Sequence, residues 1–126
     1  IQAHEKLVGA LLAAQRADGG WAWKLSAKAS PESDPLTTGQ VLYGLGKLGR
    51  KGQDPHVQRA WSYLSKTQLE NGSWSIPWLT FMIENNKDHT DGDKVFSYWG
   101  TTWAALGMMN TLPDSPLPKA KAISSR

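Results

Sequence analysis

The sequence predicts an all-α protein built from two stacked helix pairs, and three observations carry that prediction. A short block is written twice, "QRADGGW" at 15–21 and "QLENGSW" at 68–74. Each copy follows an amphipathic run at helical spacing, and each is followed by a second run that is apolar on nearly every side. A repeat of this size decides the architecture, so it is read first. Shifting the chain by 53 positions places Lys6 on Arg59, Leu11 on Leu64 and Gln15 on Gln68. The same shift places Asp18 on Asn71, Gly19 on Gly72 and Trp21 on Trp74.

In chain order, the first helix carries Leu7, Leu11 and Ala14 at helical spacing, with Glu5, Lys6 and Arg16 elsewhere on the wheel. Asp18-Gly19 fits a helix end, because glycine tolerates the left-handed conformation that caps one. The second helix, "PLTTGQVLYGLGKLG" at 35–49, has one charge, Lys47. Asp54-Pro55 then supplies an N-cap and a proline at the first helical position of the third helix. There Val57, Trp61, Leu64 and Gln68 line one face, with Arg59 and Lys66 off it, and Asn71-Gly72 repeats the ending. The fourth helix, "YWGTTWAALGMMNTL" at 98–112, has no charge, and a helix apolar all round is expected to be buried all round.

Gly39, Gly44, Gly46, Gly100 and Gly107 each cost about 1 kcal/mol against Ala inside a helix, a cost that close backbone approach would offset. The Thr pairs at 37–38 and 101–102 are 64 apart, so the second connection is expected to hold 11 extra residues. Outer amphipathic helices alternating with inner apolar ones describe an α/α toroid or solenoid layer, of which four helices form part. The expected domain spans 1–112, followed by a Pro-containing polar tail at 113–126.

Composition narrows the function. Apolar residues make up 40% of 126, which supports a packed core and excludes a disordered segment. The net charge of +3 is scattered over Lys6, Arg16, Lys24, Lys47, Arg59 and Lys66, so neither nucleic acid nor an anionic membrane is an expected partner. The absence of cysteine removes disulfides, thiolate metal sites, haem attachment and a Cys nucleophile together. The longest uncharged stretch, Val95 to Pro113, carries Ser, Tyr, Trp and Thr, so a buried helix is expected rather than a membrane span. The chain starts at Ile1 and reads as a piece of something longer or a processed product.

"RAWSYLSKTQLENGSW" at 59–74 resembles the QW repeat of squalene-hopene and oxidosqualene cyclases at every position. The order is basic, small, two free, aromatic, Leu, three free, Gln, a short spacer, Gly, one free and Trp. "KLVGALLAAQRADGGW" at 6–21 is similar from Leu11 onward and departs where Ala10 replaces the aromatic. The runs at 34–49 and 98–109 look like the inner helices that follow such repeats. The resemblance implies the α/α toroid, a partial (α/α)6 barrel here, shared with protein prenyltransferase β-subunits. It also implies a structural clasp of Gln15, Gly19, Trp21, Gln68, Gly72 and Trp74 that ties outer helices together. A Gln at a last turn can satisfy orphan backbone groups while a large ring excludes water.

The chemistry of that family is absent from this stretch. Its cyclases protonate an alkene with an Asp-rich DxDD or Asp-Cys motif, and neither occurs here. Asp88, Asp91 and Asp93 in "KDHTDGDK" are the acidic candidates, either a remnant acid or weak cation cluster or a solvated loop tip rich in turn formers. A prenyltransferase zinc site needs a thiolate, and His4, His56 and His89 share no motif, so no metal and no cofactor is expected. Tyr43, Phe96, Tyr98, Trp99, Trp103 and Met108, with Met109, are candidates to line a cavity for an apolar isoprenoid-like ligand, with core packing the alternative. Trp23 and Trp78 could form an apolar rim or a sugar-stacking surface.

Three functions compete. One is a non-catalytic, cyclase-like toroid fragment or scaffold. Another is part of an active triterpene cyclase whose acid motif lies elsewhere. The third is a carbohydrate-binding or carbohydrate-cleaving α/α domain. Self-association, or docking onto the rest of a longer parent chain, is expected through the Val41–Leu48 or Trp103–Met109 helices.

Overall fold

The computed structural model describes residues 2–23, 32–76 and 92–114, with side chains from residue 97 onward in the last stretch. It is all-helical there, with α1 at Gln2–Ala13, α2 at Pro35–Lys47, α3 at Pro55–Thr67 and α4 at Gly92–Asn110. No strand occurs among the described residues.

Asp-Pro opens both internal helices. Asp34 accepts from the backbone N–H of Thr37 at 2.6 Å and from its hydroxyl at 2.8 Å, and Pro35 takes the first helical position. Asp54 accepts from the N–H of His56 at 2.8 Å ahead of Pro55. A proline at that position gives up a donor that has no helical partner anyway.

The close pair is α2 with α4, and small residues allow it. Gly100, Ala104, Gly107 and Thr111 form a buried stripe at helical spacing. A Cβ on Gly39 would run into the backbone carbonyl of Trp103, and one on Gly107 would run into the carbonyl of Gly39. Gly46 meets the backbone of Asn110 in the same way. The expected close approach is therefore present at three of these glycines. Gly100 instead packs on the Ile76 side chain, and Gly44 faces open space.

The core gathers Trp21, Leu42, Leu45, Val57, Ala60, Tyr63, Leu64, Trp74 and Ala104. α3 contributes the face Val57, Ala60, Tyr63 and Leu64. Trp61 is half-buried at its side, and Gln68 is exposed. From Trp61 the indole N–H reaches the Thr111 hydroxyl at 2.9 Å, tying α3 to the end of α4.

Four expectations need correction. α1 buries no residue, and Leu7 is 71% exposed, because only Leu11, Leu12 and Ala14 reach the edge of the core. α4 is not buried all round, since Tyr98, Trp99, Leu106 and Met109 are exposed on the sides away from α2. It also starts at Gly92, so Asp93 and Lys94 belong to a helix and not to the expected loop. Asp88, Asp91 and Trp78, and the tail from 115, lie outside the described residues, as does the Phe96 side chain. The fourth correction concerns Gly19 and Gly72. Helices α1 and α3 end at Ala13 and Thr67, and the glycines close the turns that follow.

Candidate functional site

The two Gln-to-Trp turns are built bond for bond alike. In the first, the Arg16 N–H donates to the Gly20 carbonyl at 3.0 Å and the Gly19 N–H to the Arg16 carbonyl at 2.9 Å. In the second, the Leu69 N–H donates to Ser73 and the Gly72 N–H to Leu69, both at 2.8 Å. Gly19 has φ 94 and Gly72 φ 84, a left-handed backbone that favours glycine. The preceding acid or amide fixes the turn from its side chain. Asp18 accepts from the Gly20 N–H at 2.9 Å, and Asn71 from the Ser73 N–H at 3.0 Å.

Each Gln side chain closes its own turn. The Nε2 of Gln15 donates to the Gly19 carbonyl at 2.8 Å, and that of Gln68 to the Gly72 carbonyl at 2.9 Å. Each Trp is buried and donates its indole N–H back to the preceding helix. Trp21 reaches the Leu11 carbonyl at 2.7 Å and Trp74 the Leu64 carbonyl at 2.8 Å. Its backbone N–H then donates to a threonine hydroxyl on the next helix, Trp21 to Thr38 in the first turn of α2 and Trp74 to Thr101 midway along α4, both at 3.0 Å.

These threonines reset the alignment. Thr38 and Thr101 are 63 apart, while Trp21 and Trp74 are 53 apart, so the Trp-to-Thr interval is ten residues longer in the second unit rather than eleven, and part of it lies within α4. Thr37 instead donates its hydroxyl to the capping Asp34, and Thr102 donates to the Tyr98 carbonyl.

The first turn reaches further than the second. Gln15 Nε2 also donates to the His56 carbonyl at 2.9 Å, and its Oε1 accepts from Arg59 at 2.5 Å. His56 Nδ1 lies 2.7 Å from the same oxygen, where it can act as a donor. The sequence pointed to Gln15 and Arg59 but not to His56, whose partner is 41 residues away.

The described carboxylates near these turns are engaged. Asp18 also accepts from the Ser33 hydroxyl at 2.8 Å, and the fully buried Asp34 holds the start of α2. Asp54 pairs with Arg50. Burial pushes its carboxyl up, but the Arg50 hydrogen bond and charge, with the N–H groups of His56 and Val57, outweigh that and hold it below its ordinary value. Burial raises the Tyr63 hydroxyl well above its usual range, and the carboxylates of Asp34, Asp18 and Glu32 raise it further. It is a neutral phenol at physiological pH.

The cavity candidates divide. Tyr43 and Trp103 meet edge to face with centroids 5.7 Å apart at 85°, with Lys47 over the tyrosine ring at 5.1 Å. Met108 packs against the core, while Tyr98, Trp99 and Met109 are exposed, as is Trp23. Two open clefts are present. One, of about 330 Å³, lies between Gly52, Gln58, Trp61, Leu112 and Pro113. The other, of about 350 Å³, lies where α1 meets the end of α2, bordered by His4, Val8, Leu12 and Arg50. None of the expected cavity residues whose side chains are described borders either. Among the described residues no three His, Asp or Glu gather as a metal site, and no helix is long and apolar enough to cross a membrane.

The described residues are all-helical and carry two turns of matching geometry. Over 53 residues, 42% of its length, the chain is 38% identical to a squalene-tetrahymanol cyclase of Tetrahymena thermophila. The chain spans only 8% of that protein. This likeness marks a cyclase-related segment. No family model matches the chain, and no solved structure matches it.

Proposed function

We propose that this chain is a squalene-cyclase-like segment of an α/α toroid that acts as scaffold and does no chemistry by itself. The observation that carries the reading is the 38% likeness to the tetrahymanol cyclase in a chain that folds as two units with equivalent Gln-to-Trp turns. Gln15 and Trp21, like Gln68 and Trp74, serve the backbone around them, which supports a structural clasp. Protonating an alkene needs a carboxylic acid held in its protonated form in a dry cavity. Asp18 and Asp34 instead spend their oxygens on backbone and hydroxyl groups of the turns, and Asp54 pairs with Arg50, which holds it in the ionised form. Any isoprenoid-like ligand would meet the inner helices near the Tyr43–Trp103 pair.

Incubating the purified chain with squalene and searching for cyclised product by mass spectrometry tests the reading. No product is expected. A cyclised triterpene would overturn it in favour of an active cyclase, the second reading, which the name of the Tetrahymena relative favours.

A further inference from the structure

We propose that this chain associates head to tail with a second copy of itself. The Gln68–Trp74 turn of one copy would seat the start of α1 in the next, as the Gln15–Trp21 turn seats the start of α3 within the chain. The inference rests on the equivalence of the two turns and stands apart from the likeness to a cyclase.

The contact is already present once, intramolecularly. Gln15 bonds the His56 carbonyl and accepts from Arg59 in the first turns of α3. Gly19 is buried there, and a Cβ on it would strike the Arg59 carbonyl. The second turn has the same backbone and nothing seated on it among the described residues. The Gln68 side chain bonds Gly72 alone among those residues, and both residues are exposed. Only the Gln68 amide comes within 4 Å of a Cβ placed on Gly72 among those residues. What fits this turn is the start of an amphipathic helix with a basic side chain in the position of Arg59.

Helix α1 is such a helix, and its first turns are exposed apart from the half-buried Val8. The 53-residue shift puts Lys6 on Arg59, and puts Leu7, Ala10 and Leu11 on Ala60, Tyr63 and Leu64. α3 buries all three of its residues, whereas α1 leaves Leu7 71% exposed and buries nothing. His4 stands where α3 has Val57, a departure that puts a polar group at one edge of the contact. The Thr101 bond holds α4 beside the second turn, and α4 exposes Tyr98, Trp99, Leu106 and Met109. Among the described residues each copy thus carries one turn with nothing seated on it and one exposed helix start of matching kind. Because the two surfaces differ, the contact is heterologous and either closes a ring or grows.

Light scattering after gel filtration, at about 100 μM where a micromolar Kd is saturated, measures the mass. A multiple of the chain mass is expected. Lys6→Glu and Leu7→Glu alter exposed side chains, so they should keep the helical circular dichroism while weakening association by roughly tenfold or more. Direction is tested by cross-linking, since the chain has no cysteine. Glu70→Cys and Ala3→Cys, mixed and treated with a short bis-maleimide, should give a cross-linked pair that neither variant gives alone. A monomer at that concentration overturns the proposal. So does equal cross-linking of the single variants, which would mean a two-fold contact.

Discussion

The indole N–H of Trp21 donates to the backbone carbonyl of Leu11 at 2.7 Å, and the ring itself is fully buried. That carbonyl lies in the last turn of α1, where it also accepts from the Ala14 N–H at 3.2 Å. One side chain therefore adds a second donor at a helix end and fills the core, and Trp74 does the same for Leu64, whose carbonyl also accepts from the Gln68 N–H at 3.0 Å.

Trp21→Ala and Trp74→Ala should each cost about 3–5 kcal/mol, the range for deleting a large buried aromatic. Trp→Phe keeps most of the ring and loses the N–H while each carbonyl keeps its backbone donor, so it should cost less, about 0.5–1.5 kcal/mol for the one hydrogen bond lost. Urea unfolding followed by circular dichroism separates the two contributions. Alanine variants that unfold at the wild-type midpoint would refute the structural role.

The helical glycines should divide by what faces them. Gly39→Ala and Gly107→Ala would each drive a methyl group into backbone of the partner helix. Backbone cannot rotate away, so a cost of about 1–3 kcal/mol or more is expected, as in overpacked cores. Gly44→Ala meets open space and should stabilise by up to about 1 kcal/mol through helix propensity. Thermal melts of the three variants check the sign at each position.

Much of the fold is legible in the sequence itself. Apolar spacing locates four helices, Asp54-Pro55 marks a start, and the doubled block marks two equivalent turns. The same Asp-Pro signal at 34–35 could have marked Asp34 as a cap. Exposure is not legible, because composition reports a face's affinity for neighbours and not whether neighbours are there. Leu7, Tyr98 and Met109 are apolar at helical spacing and still exposed. The site is legible only in part. Gln15 and Trp21 stand out, but the bonds to His56 and Thr38 depend on chain folding back across 41 and 17 residues.

Acid should weaken the start of α3. Asp54 is held below its ordinary carboxylate value because Arg50 and the helix N–H groups outweigh burial. A group with a lowered folded pKa contributes stability that is fully present above its unfolded pKa, about 3.9 for Asp, and is lost as pH falls through the folded value. The Asp54 contribution should therefore be constant from neutral pH down to about 5 and decline below about 4. Asp54→Asn keeps the capping oxygen and removes the titration, so its urea midpoint should depend less on pH in that window. Asp54→Ala should cost about 1 kcal/mol at neutral pH as well, the usual cost of a lost cap. An unchanged acid limb in Asp54→Asn would show that other carboxylates govern it.

The two threonine pairs decide which residues are equivalent between the units. Spacing alone pairs Thr37 with Thr101 and Thr38 with Thr102, whereas the hydrogen bonds pair Thr38 with Thr101. The Thr38 hydroxyl is fully buried, accepts from the Trp21 N–H at 3.0 Å and lies 3.4 Å from the Trp21 carbonyl. Thr38→Val preserves shape but leaves that N–H without an acceptor, a loss of about 1–3 kcal/mol. Thr101→Val removes the acceptor of the Trp74 N–H, and the cost should be smaller because Thr101 is half-buried. Thr102 is exposed and only donates to the carbonyl four residues back in its own helix, so Thr102→Val should fall within about 0.5 kcal/mol of wild type. Thr37→Val loses a bond to Asp34 in a half-buried setting and should cost about 1 kcal/mol. If the two units are built alike, the larger penalties fall on 38 and 101. A larger penalty at 102 than at 101 would restore the 64-residue alignment and undo the equivalence of the two turns.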